Sequence, residues 1–138
     1  MAAPPPPTPP SNPAALQRLT QAQHNYGLYR ELKRIGRYPD WTVTVLFYTA
    51  MSLVEAYLAE KEPPTFHRIK SHQDRNDAVA LKLPRIYGHY RVLHNLSTVA
   101  RYHPEEPKPT GSEIAQGEAG LTQIVAEIRR LGIDVTLS

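Results

Sequence analysis

From Asp40 to Glu62 the chain runs without a proline or a glycine, and Trp41, Val43, Val45, Leu46, Phe47, Met51, Leu53, Val54 and Leu58 leave it apolar on nearly all sides. A helix that is apolar all round belongs inside a bundle. The β-branched residues would also suit a strand, but about twenty residues without a turn signal is too long for a typical strand. The segment therefore demands other helices around it.

The flanking sequence supplies them. Asn12 reads as an N-cap, Pro13 sits at the first helical position, and Leu16, Leu19, Leu28, Tyr29 and Leu32 recur at three- and four-residue steps, which predicts a first helix from about Pro13 to Ile35, ended near Gly36. Asp40 is expected to cap the second helix and Glu62-Pro63-Pro64-Thr65 to end it. Ser71 with Asp74 three positions on resembles a capping pair opening a third helix to about Leu83, and Pro84 starts a fourth that runs to Tyr102, before His103-Pro104. Residues 105–112, with Pro107, Pro109 and Gly111, read as a loop, and Glu113 to Leu131 as a fifth helix stopped by Gly132. Ile133 to Leu137 reads as an extended, strand-like tail. The expected fold is all-α, an up-and-down bundle of four to five helices over residues 14–138.

Ahead of it, residues 1–13 hold seven of the fourteen prolines, whose fixed φ and missing amide donors predict a polyproline II or disordered arm serving as a semi-rigid spacer. A chain of 138 residues suits one domain with one core. With no cysteine there is no disulfide, no thiolate nucleophile and no Cys-based zinc site, and a cytoplasmic setting is expected. The apolar stretch from Val43 to Ala59 is interrupted by Thr44, Tyr48, Ser52 and Glu55, so neither a membrane span nor a signal peptide is expected.

Charge is uneven along the chain. Residues 67–103 hold five of the six histidines and seven of the sixteen Lys/Arg residues against two acids, Asp74 and Asp77, so an anionic partner is expected there. Thr44, Tyr48, Ser52 and Glu55 share one face of the second helix. Glu55 is the acid of that seam, and a carboxylate in such a place needs a cation, for which Arg75 is the natural candidate. His72, Arg75 and Asn76 are spaced i, i+3, i+4 and share a side of the third helix, where an imidazole, a guanidinium and an amide can hold a phosphate and place a proton-transfer group. On the fourth helix Val92, Leu93, Leu96, Val99 and Ala100 form the apolar side, with His89 on it as a core or interface residue. Tyr90, His94, Ser97 and Arg101 line its border, and Tyr87, Arg91 and Thr98 belong to a mostly solvated face. His67 and His72 have no acid or third histidine at ligand spacing, so no metal site and no cofactor are expected.

The order Trp41, Phe47-Tyr48-Thr49-Ala50, Glu55-Ala56-Tyr57-Leu58, Ser71-His72-Gln73-Asp74-Arg75-Asn76, Tyr90-Arg91 and Ala100-Arg101-Tyr102 resembles a small bacterial group of HEPN (higher eukaryotes and prokaryotes nucleotide-binding) domains, over residues 15–103. The resemblance implies a helical bundle, often a homodimer, that binds RNA or a nucleotide in a toxin-antitoxin or defence setting, with a nucleotidyltransferase-type protein as a possible partner. Active members carry an arginine followed after four to six residues by a histidine. Counted from Arg75, Arg85, Arg91 and Arg101, no histidine falls at that spacing.

Three expectations follow from these residues. The first is a binder of RNA or a nucleotide, with Glu55, Asn76, Tyr90, Ser97 and Arg101 as ligand-binding residues. The second is a metal-independent ribonuclease in which His72, Arg75 and His94 supply the acid, base and phosphate cation. The third is a structural dimeric module of a larger complex, its tyrosines and histidines forming an interface.

Overall fold

The computed structural model describes residue 3 and residues 5–138, and Met1, Ala2 and Pro4 of the proline arm lie outside them. Six helices follow in order: α1 Pro13–Ile35, α2 Pro39–Lys61, α3 Pro63–Arg68, α4 His72–Lys82, α5 Tyr87–Tyr102 and α6 Gly111–Arg130. Among the described residues there is no named strand, so the chain is an all-α bundle. The long apolar segment is α2, which packs against α1, α3, α5 and α6. It is long and apolar enough to cross a membrane by length and composition, and most of it is buried inside the bundle.

Leu46, Phe47, Leu53, Val54 and Leu58 of α2 are buried against Tyr29, Val79, Leu83, Tyr90, Leu93, Ile124 and Ile128. Each such side chain contributes about 1.5–3 kcal/mol when fully removed from water. The helix α6 comes close at Gly117, where a Cβ would stand 3.0 Å from a Leu93 methyl and 3.1 Å from a Leu46 methyl. A glycine there lets three helices meet.

Local chemistry sets most of the ends. The Asn12 side chain accepts from the amide of Ala14 at 2.8 Å, and Gly36 closes α1 with φ 74°, a left-handed conformation suited to glycine. Ser71 Oγ accepts from the amide of Asp74 at 3.0 Å and opens α4. Four boundaries depart from the sequence reading. The stretch Glu62-Pro63-Pro64-Thr65 does end α2, yet proline at a first helical turn is well tolerated, and Pro63 opens the short α3. Asp40 does not cap α2; it lies inside a first turn that begins at Pro39, with Tyr38 at the cap position and no side-chain capping bond. Pro84 opens a turn rather than α5, because Leu83 and Ile86 are drawn into the core and the helix begins only at Tyr87. Finally α6 starts at Gly111 rather than Glu113, because Thr110 and Glu113 form a reciprocal capping box that extends the helix into the expected loop.

The proline arm is tied down ahead of α1. The Thr8 amide donates to Gly132 O at 3.1 Å and the Asp134 amide donates to Thr8 O at 2.8 Å, so the extended tail pairs in parallel with Thr8 as a single bridge at Ile133. Ser11 and Asn12 then donate their amides to the Glu60 carboxylate of α2.

The buried side of α5 also differs from expectation. Tyr90, Leu93 and Ser97 are its buried residues, while Val99 and His89 are exposed. Phe47 sets this rotation: its ring stands 5.6 Å from Tyr90 and 4.9 Å from His94, which draws the border stripe inward. His89 flanks α6 at Gly120, where an added Cβ would stand 3.4 Å from the His89 Cβ and 3.7 Å from its Nδ1.

Candidate functional site

Glu55 is 8% exposed and lies between two guanidiniums. Arg75 Nε donates to Oε1 at 2.8 Å, as the sequence suggested, and Arg18 Nε of α1 donates to Oε2 at 2.7 Å. The carboxylate thus locks α4 and α1 onto α2. Arg75 Nη1 reaches back to His72 Nδ1 at 3.0 Å. A guanidinium has only donors, so Nδ1 of His72 carries the lone pair and Nε2 the proton.

His94 repeats the arrangement on α5. Its Nδ1 faces the amide of Asn76 at 3.3 Å and Arg91 Nη1 at 3.5 Å, and its ring stacks on Phe47 at 4.9 Å with 18° between the planes. The two imidazoles are 5.1 Å apart. Burial, followed by the charges of Arg75 and Arg101, lowers the pKa of His72. His94 falls further, to about 4, through burial, then His72, then Arg91, Arg101 and Arg75. Both rings are neutral at pH 7, and each offers its Nε2–H as a donor.

Arg101 closes the cluster. Its Nη1 donates to the Tyr48 hydroxyl at 2.9 Å and its Nε to Ser97 O at 3.2 Å, while its guanidinium carbon stands 5.4 Å from the Tyr48 ring and 4.9 Å from the Tyr102 ring. Among the described residues neither Arg91 nor Arg101 has a carboxylate within 4 Å.

All eight residues singled out from the sequence therefore fall in one region, in two layers. His72, Arg75, His94 and Arg101 are partly exposed, whereas Glu55, Asn76, Tyr90 and Ser97 are buried behind them. Ser97 Oγ donates to His94 O at 2.9 Å and accepts from Arg101 Nη2 at 3.4 Å, so it positions Arg101. Asn76 Oδ1 and the Tyr90 hydroxyl are the two buried side-chain polar atoms without a hydrogen bond among the described residues. The Tyr90 hydroxyl lies near the Arg75 guanidinium but outside hydrogen-bonding geometry, and burial pushes its pKa far above the ordinary range.

No family model, curated protein or solved structure matches the chain. Its site is read from its own geometry, which also holds three residues that the spacing did not single out. Arg18 lies in a different helix with no sequence link to Glu55, and Phe47 reads from sequence as one more core residue. Arg91, assigned to a solvated face, leans toward His94.

Proposed function

We propose that the groove formed by His72, Arg75, His94 and Arg101 binds the phosphate groups of RNA or of a nucleotide and does not cleave them. The observation that carries this reading is the charge balance: the cluster holds four guanidiniums and one carboxylate, Glu55, which pairs with Arg18 and Arg75 while Arg91 and Arg101 stand beside His94, an excess of three positive charges. The groups at the surface of the cluster are donors, two imidazole Nε2–H groups and the guanidiniums, which suits a phosphate oxygen. The resemblance to HEPN domains points the same way.

The histidine geometry favours binding over hydrolysis. A general base needs a free lone pair within reach of the ribose 2′-hydroxyl. In His72 and in His94 that lone pair faces an arginine. Metal-independent cleavage would require one ring to turn away from its partner first. Labelled single-stranded RNA incubated with the protein at low salt tests both: intact RNA whose mobility shift weakens steeply with salt supports binding, and cut products that disappear in His94→Gln would establish the nuclease instead.

A further inference from the structure

The chain's single tryptophan, Trp41, is 57% exposed. Tyr38 is 44% exposed and Tyr102 is 64% exposed, and with Trp41 they are the aromatic members of the exposed large hydrophobic side chains of the described residues. All three stand where α2 begins and α5 ends: Tyr38 at the cap position of α2, Trp41 in its first turn, and Tyr102 as the last residue of α5. Arg101 stands among them with its guanidinium over the Tyr48 and Tyr102 rings. Trp41 and Arg101 line one cleft of about 390 Å³, with Asp40, Thr44, Pro104 and Lys108 also on its walls. Lys108 is held to Asp40 at 3.3 Å, whereas Arg101 has hydroxyls and a carbonyl as partners and no carboxylate among the described residues.

An apolar aromatic face left in water beside a cation is the arrangement by which proteins hold unpaired bases: the ring stacks and the cation meets the adjoining phosphate. We infer that Trp41 is a stacking platform for one base of single-stranded RNA whose phosphates run over Arg101 toward Arg75 and the two histidines. This inference rests on the phosphate-binding reading of the groove. A duplex does not fit, because its bases are already stacked on one another and offer no free face. A mononucleotide uses one end of the site, whereas the cations continue from Arg101 to Arg75 in a track that suits consecutive phosphates. An acidic peptide would satisfy the cations but would leave the three exposed rings without a planar partner.

Trp41 is its own reporter. On titration with a short oligoadenylate its emission should fall in a saturable manner, and the matching RNA duplex should have little effect. Trp41→Ala should weaken binding about 5- to 100-fold, as loss of one base stack implies, and Trp41→Phe should restore most of it. Trp41 is exposed, so these variants should keep the wild-type circular dichroism and urea midpoint. Unchanged affinity of Trp41→Ala, or unchanged emission at oligonucleotide concentrations that retard the protein, overturns the stacking inference and leaves phosphate binding standing. If wild-type protein binds no oligonucleotide in either assay, or prefers polyglutamate, both readings fall.

Discussion

Arg75 on α4 donates to Glu55 on α2 across 2.8 Å, with both side chains nearly withdrawn from solvent. Removing one partner of such a pair leaves a desolvated charge without compensation, which costs about 3–5 kcal/mol in buried settings. Glu55→Gln leaves Arg75 and Arg18 facing each other over a neutral amide, so a loss of about 3 kcal/mol is expected from urea unfolding. A loss under about 1 kcal/mol would show that water screens the pair as it screens surface ion pairs.

The two histidines make stability depend on pH in a defined window. Above the ordinary histidine value of about 6.5 both rings are neutral in folded and unfolded chains alike and add nothing. As pH falls toward 4 the unfolded chain takes up protons that the folded His94, at about 4, declines, and His72 acts in the same direction. Unfolding free energy should therefore decline on acidification through this window, and His94→Gln should flatten the decline. An identical slope in wild type and variant would count against the assigned neutrality of His94.

Tyr90→Phe carries an expectation of opposite sign from most core substitutions. The hydroxyl is buried without a hydrogen bond, so its removal should be neutral or stabilising by up to about 1 kcal/mol. A clear loss in thermal melting would mean that the hydroxyl is bonded in solution, through an ordered water or Arg75.

Arg101 and Arg91 can be tested without unlocking the bundle, since neither holds a buried carboxylate. Arg101→Gln should weaken RNA binding and reduce the slope of log K against log salt by roughly 0.7, the single-strand value for one phosphate contact. Its urea midpoint should stay close to wild type. An unchanged salt slope would remove Arg101 from the phosphate track.

Phe47 supports both rings from below, at 4.9 Å from His94 and 6.0 Å from His72. Phe47→Ala should cost about 3–5 kcal/mol, the range for an aromatic ring removed from a packed core. Phe47→Leu should cost less in stability while still disturbing His94, visible as a shifted imidazole titration by NMR.

The fold was legible where local chemistry decides. Asn12, Gly36 and Ser71 mark helix ends that side-chain and backbone hydrogen bonds enforce, and the unbroken apolar run of α2 demanded a surrounding bundle. The partnership of Glu55 with Arg75 was also legible, because a carboxylate in an apolar helix must find a cation. The rotation of α5 was not: its burial follows Phe47 and α4, which helical periodicity within α5 cannot register. Arg18 was hidden for the same reason, as nothing in α1 says which of its faces meets Glu55.

Thr8 and Ile133 lie on either side of the six helices in sequence, and their pairing encloses all of them in one loop. Closing a loop of that length has a large entropic cost, and contacts so distant in sequence reward folding only after the local ones exist. The helices can therefore assemble before this contact forms, leaving the places of Ile133 and Val135 in the core to be filled late. During synthesis the segment around Thr8 must wait until residues 132–135 have emerged behind α6, so this seal closes only after all six helices are made.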